Sequence, residues 1–149
     1  MSLSMTRAER EAFLADLHIG VISIADGEQG PLTCPVWYAY EPGGEISLVT
    51  GKTSRKAAAL RAVKRVSFLV QSEDLPYKYV SIEGPLTMLE DADLDKDVRP
   101  IAHRYLGREG GDGYLEATRG DGAEGDLRVR IRPERWLTVD YSKRFQAPA

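Results

Sequence analysis

From His18 onward the chain is divided into strand-length pieces by turn signals, and that spacing restricts its fold more than any other feature. His18 to Ala25 is short and β-branched, and it ends at Asp26-Gly27, a pair suited to a tight hairpin. Leu32 to Tyr40 is strand-like and aromatic, and it stops at Glu41-Pro42-Gly43-Gly44. Glu45 to Thr50 follows with Ile46, Leu48 and Thr50 on one face, and the short connection predicts antiparallel pairing with the strand before it. Val66 to Gln71 is a compact apolar strand, and Tyr77 to Met88 is a longer one interrupted at Gly84-Pro85. Near the end Leu127, Val129 and Ile131 alternate with Arg128, Arg130 and Arg132, and Trp136 to Tyr141 continues after Pro133. Many short strands with turns between them predict a sheet closing on itself.

Three segments read as helical. Thr6-Arg7-Ala8-Glu9 has the spacing of a capping box, and Phe13, Leu14 and Leu17 follow at helical intervals. Ser54 can cap a short alanine-rich helix reaching Ala62, and Leu94 to Leu106 reads as another helix. Gly107 to Gly125 is glycine-rich and acidic, with a short helical patch at Tyr114 to Ala117, and is expected to be a mobile loop able to act as a lid. Residues 6–145 are expected to form one domain, which at this length buries a core without disulfides or metal. Met1-Ser2-Leu3-Ser4 precedes a second methionine, Met5, so residues 1–5 are expected to be disordered or left over from cloning.

Composition removes several functions. A formal net charge of −3 disfavours a general nucleic-acid binder. No apolar run approaches the roughly 20 residues of a membrane-spanning helix. The single cysteine, Cys34, forms no internal disulfide and fits a cytoplasmic protein. One Cys and two His make a transition-metal site of ordinary ligand type unsuited to this chain, and no metal site is expected. His18 and His103 lie on apolar-periodic segments and read as structural.

The chemically informative stretch is Thr50-Gly51-Lys52-Thr53-Ser54-Arg55-Lys56. A strand ends, a glycine turns the backbone, and a helix begins among hydroxyl and cationic side chains. A helix start offers free N–H groups and the positive end of the dipole, which suits phosphate. Arg55 can hold phosphate through two parallel hydrogen bonds, and Lys52 or Lys56 adds a point charge. No acid interrupts from Lys52 to Arg65. The same charges also fit the solvated face of a short helix. Walker-type glycine spacing is absent. Upstream, Thr33-Cys34-Pro35-Val36-Trp37-Tyr38 could give a planar ring an apolar slot, or could simply be a packed core strand.

Taken in order, these segments resemble the pyridoxamine-phosphate-oxidase-like split-barrel superfamily, and most of all its deazaflavin-dependent (F-420) oxidoreductase branch. The resemblance is carried by Pro35-Val36-Trp37-Tyr38, Thr50 to Ala57, Leu60-Arg61, Arg65-Val66-Ser67, Pro76 to Gly84 and Asp140-Tyr141-Ser142-Lys143. It implies a mainly β fold, a six-stranded antiparallel split β-barrel with flanking helices, and a homodimer with a cofactor site at the interface. It implies that Lys52, Ser54, Arg55 and Lys56 hold the cofactor phosphate, and that the ring lies along Pro35, Val36 and Trp37 near Thr50. Tyr79 matches a position close to the ring that often comes from the other subunit. True pyridoxamine phosphate oxidases open their first cofactor strand with arginine and close it with lysine. Thr33 to Tyr38 has neither, which favours coenzyme F-420 over FMN.

The expected activity is therefore hydride transfer between a deazaflavin and a small conjugated organic substrate, the cofactor carrying the redox chemistry. No catalytic set stands out, and Tyr77, Tyr79 or a water are candidate proton donors. Two alternatives stay open: an FMN-dependent oxidase-like enzyme, and a split barrel that binds a cofactor or haem-type ligand without turnover.

Overall fold

The computed structural model describes residues 2–120 and 125–145. Helix α1 (Arg7–Ala15) starts with the full capping box: Thr6 accepts from the Glu9 amide and the Glu9 carboxylate accepts from the Thr6 amide. It ends two residues early for Leu17, which is left exposed, while Leu14 is fully buried. Strands β1 (Gly20–Asp26) and β2 (Gln29–Val36) form a hairpin in which Asp26 faces Gln29, with Gly27 at φ 59° in the turn. Strand β3 (Ile46–Gly51), helix α2 (Arg55–Arg61), strand β4 (Arg65–Gln71) and the long strand β5 (Lys78–Asp91) follow. A π-helical turn (Leu94–Val98) leads into α3 (Arg99–Ala117), and β6 (Asp126–Ile131) and β7 (Arg135–Asp140) complete the sheet.

All strand pairs are antiparallel, in the order β2-β1-β4-β5-β6-β3, with β7 beside β5 off that path. The six-stranded path returns on itself because Ala39, just beyond β2, exchanges two backbone hydrogen bonds of 2.9 Å with Ser47 of β3. This is the expected split barrel, with one added strand. The interior is filled by alternate residues: Ile22 and Ile24, Ile46 and Leu48, Val66, Phe68 and Val70, Val80 and Ile82, Val129 and Ile131. Tyr38 is also fully buried, its hydroxyl donating to the Leu14 carbonyl at 2.6 Å. Burial pushes its phenol well above the ordinary range.

β5 serves both halves of the barrel. Its first part pairs with β4 and β7, and beyond Pro85 it pairs with β6 across an irregularity between Leu86 and Met88. The change of partner occurs at Gly84-Pro85, where the sequence predicts a break. The strand instead continues, because Gly84 lets another backbone come close: a Cβ there would lie 1.8 Å from the Arg132 carbonyl oxygen. The amide of Arg132 donates to the Pro85 carbonyl at 3.1 Å, which fixes the crossing.

Three expectations are corrected. β3 takes β6, not β2, as its ladder partner, since β2 spends its ladder on β1 and meets β3 only at the Ala39–Ser47 bridge. The start of the chain is not disordered from residue 3 onward. Met5 is buried, its amide donates to Thr138 Oγ1 at 2.9 Å, and the Leu3 carbonyl accepts from Asp140 at 2.8 Å. The glycine-rich stretch is mostly helix. α3 breaks only at Gly107 (φ 77°, ψ 174°), a left-handed conformation suited to glycine, and its second half folds back. Asp112 there accepts from Arg99 at 2.6 Å and pairs with His103 Nε2 at 2.7 Å. These contacts offset a helix-propensity cost of about 1 kcal/mol per glycine. Residues 121–124 of that stretch lie outside the described residues.

Candidate functional site

β3 delivers Thr50 to the end of the barrel, and Gly51 turns the chain, its carbonyl accepting from the Ser54 amide at 3.0 Å. Ser54 then caps α2, its hydroxyl accepting from the Ala57 amide at 3.1 Å. The Thr50 and Ser54 hydroxyls are themselves 3.1 Å apart, forming a polar floor with Thr50 nearly buried. The junction read from sequence is thus built as expected, because each of its bonds is local.

This floor belongs to a cleft of about 870 Å³, within the range of small-molecule sites. Pro35, Val36 and Trp37 line it from the end of β2, and Thr50, Ser54 and Lys56 from the β3–α2 junction. Six of the nine residues expected at the cofactor are therefore brought together. Lys56 has no ion-pair partner among the described residues.

The other three are placed elsewhere. Lys52 Nζ pairs with Asp91 at 3.0 Å, while its amide donates to the Gly125 carbonyl at 3.0 Å beside the cleft. Arg55 points away to Asp26 at 3.1 Å and is 71 % exposed, so the pair is weak and readily exchanged. Tyr79 sits between Gln71 and Val139 and lines a second cleft of about 450 Å³ together with Tyr77 and Tyr141. Neither histidine lines either cleft: His18 Nε2 lies 2.9 Å from the Phe13 carbonyl, and His103 pairs with Asp112. The His103 and Arg99 contacts hold the Asp112 carboxyl below its usual range. Cys34 is half-buried and packs against the core as a small apolar side chain.

Sequence reasoning missed the far wall. Leu94 and Val98 of the π turn, and Ile101, Tyr114 and Leu115 of α3, face the cleft across the folded-back helix. Tyr114 lies on the helical patch noticed in the sequence, yet nothing local shows that Gly107 folds it over Trp37. The Trp37 ring stacks on Tyr105 (5.0 Å, 7°) and meets Tyr114 at 5.5 Å and 51°. The arrangement can hold a flat ring against an aromatic wall, with the Lys56 cation and the Thr50 and Ser54 hydroxyls at one end, and with Asp126, Thr118 and Arg119 also on the lining.

Comparison with known proteins agrees with this architecture. The chain is 27 % identical to the conserved hypothetical protein Rv2991 from Mycobacterium tuberculosis, covering 99 % of this chain and 92 % of that one with a TM-score of 0.77. A FAD-binding protein from Mesorhizobium loti shares the fold at 21 % identity and TM-score 0.63, over 91 % and 93 % of the two chains. An F-420 reductase does so at 17 % identity and TM-score 0.59, over 85 % and 94 %. No curated protein is significantly similar in sequence. Among the described residues no helix is long and apolar enough to cross a membrane, and no cluster of three metal-ligating side chains occurs. With residues 6–140 matching its pattern, the chain belongs to the pyridoxamine 5'-phosphate oxidase family.

Proposed function

We propose that this protein is a homodimeric, cytoplasmic oxidoreductase that uses the deazaflavin coenzyme F-420 to transfer a hydride to or from a small conjugated organic substrate. The observation that carries this reading is Lys56: a cation in a concave site that shares the Thr50–Ser54 hydroxyl pair and makes no ion pair among the described residues, although Asp126 lines the same cleft. Such a group suits an anionic phosphate. Pro35, Val36 and Trp37 would bear the ring, with Ser54 and Lys56 at the phosphate. Arg55, itself largely exposed, and Lys52, whose partner Asp91 is exposed, could join after leaving their carboxylates, an exchange that costs little. When bound, the cofactor supplies the hydride chemistry, and the chain supplies orientation and a dry wall. That Tyr79 lies outside the cleft of its own chain is what a site completed by a second subunit would require.

The same cation and hydroxyls suit the phosphate of FMN, and a FAD-binding protein shares the fold, so a flavin enzyme is the second reading. Titration with F-420 and separately with FMN, followed by fluorescence, separates them. Saturable F-420 binding with weak FMN binding is expected. The reverse would assign the protein to flavin, and binding of neither would remove the cofactor site.

A further inference from the structure

The cleft has two unlike halves. The polar half, from Thr50, Ser54 and Lys56, answers to the cofactor phosphate of the function proposed above. The other half comes from the π turn and α3, and it is mainly apolar: Leu94, Val98, Ile101 and Leu115, with the Tyr114 ring at its edge and Thr118 and Arg119 at its end. No part of the cofactor reading uses the five apolar and aromatic side chains. Leu94 and Tyr114 are nonetheless 52 % and 44 % exposed, although both point into a concavity. Large apolar side chains kept wet within a cleft mark a binding surface.

The two aromatic partners of Trp37 differ in a way that bears on this. Tyr105 is fixed: its hydroxyl donates to the His18 carbonyl at 2.6 Å and accepts from the Tyr38 amide at 3.1 Å. Tyr114 has no side-chain hydrogen bond among the described residues, and its ring is tilted against Trp37 instead of stacked. Trp37 therefore has one fixed aromatic neighbour and one free one. Two further charged side chains line the cleft: Asp126, opposite Gly51 across β3 and β6, stands with the polar half, and Arg119, at the end of α3, pairs with Glu116 at 3.6 Å.

We infer that the folded-back half of α3 forms the substrate subsite, that it takes a flat, uncharged, conjugated molecule, and that Tyr114 is its specificity-determining residue. The inference rests on the proposed function only in assigning the polar half to the cofactor.

Isothermal titration calorimetry of the unmodified chain with 2-naphthol, a flat neutral probe, tests it without cofactor. Saturable binding is expected, with 1-adamantanol (neutral but globular) and 2-naphthoate (flat but charged) binding at least several-fold more weakly. Tyr114→Ala should weaken 2-naphthol binding about five-fold, the scale of a lost aromatic contact, and Tyr114→Phe should retain it. Leu115→Ala, read in the same way, provides an independent variant, and circular dichroism checks that each is folded. Equal affinity for all three probes, or unaltered binding in both Tyr114→Ala and Leu115→Ala, would overturn the subsite. If 2-naphthol binds as described but neither F-420 nor FMN does, the cofactor reading fails and the subsite stands.

Discussion

Of the two adjacent cations at the start of α2, Arg55 turns to Asp26 and Lys56 turns into the cleft. Their sequence context does not separate them, since both lie in the same acid-free run, and only the helix phase does so. Lys56→Ala should therefore weaken F-420 binding by about 1.5–3 kcal/mol, the scale of a charge-assisted hydrogen bond. Arg55→Ala should cost less than about 1 kcal/mol, because an exposed pair must be given up before it can help. Titration of both variants by fluorescence checks the order, and equal losses would mean that Arg55 swings fully into the site. Gly84 is a second residue whose role is set by a non-local neighbour. Gly84→Ala places a methyl against the Arg132 carbonyl, which cannot yield without parting β5 from the β6–β7 connection. A destabilisation of about 3 kcal/mol is expected by urea denaturation.

Elements were legible where their determinants are local. The capping box of α1 and the strand–glycine–helix junction at Thr50 to Lys56 could be read directly, because side chain and backbone partners lie within four residues. α3 could not be read in full: its second half contains glycine-rich sequence and is held by Asp112 reaching back to Arg99 and His103. The ladder partner of β3 was likewise hidden, since β6 is remote in sequence. The α1 cap also carries a pH dependence. The ammonium of Lys143 and the Thr6 amide lower the Glu9 carboxyl from its ordinary 4.5 to about 2. The stabilisation this gives is present above the unfolded value and is lost as pH falls from about 4.5 towards 2. In urea denaturation the gap between the parent and Glu9→Gln should narrow across that window. A gap independent of pH would assign the cap to the amide hydrogen bond alone.

For the molecule as a whole, a sheet closing on itself was legible because turn spacing recurs between almost all the strands, while the split barrel was what the family resemblance implied. The complete site was not, because its two walls come from segments that meet only after the barrel has closed. Tyr79 extends that limit to the assembly: within one chain it stands in the second cleft, with Tyr77 and Tyr141. Light scattering at micromolar concentration should give twice the chain mass. A monomer that still binds cofactor would mean that Tyr79 takes no part in the site.

Around the strand circuit every junction is a ladder except one, where Ala39 and Ser47 clasp each other through a single reciprocal pair of hydrogen bonds. A ring breathes at its weakest link. Here that link stands two residues after Trp37 and three before Thr50, so its opening would move two walls of the cleft apart. Amide hydrogen exchange at Ala39 and Ser47 should be faster than at Phe68 and Ile82 in the β4–β5 ladder, and a ligand seated between Trp37 and Thr50 should slow it. The clasp would then act as the barrel's sensor of occupancy, reporting a filled cleft as tightened backbone.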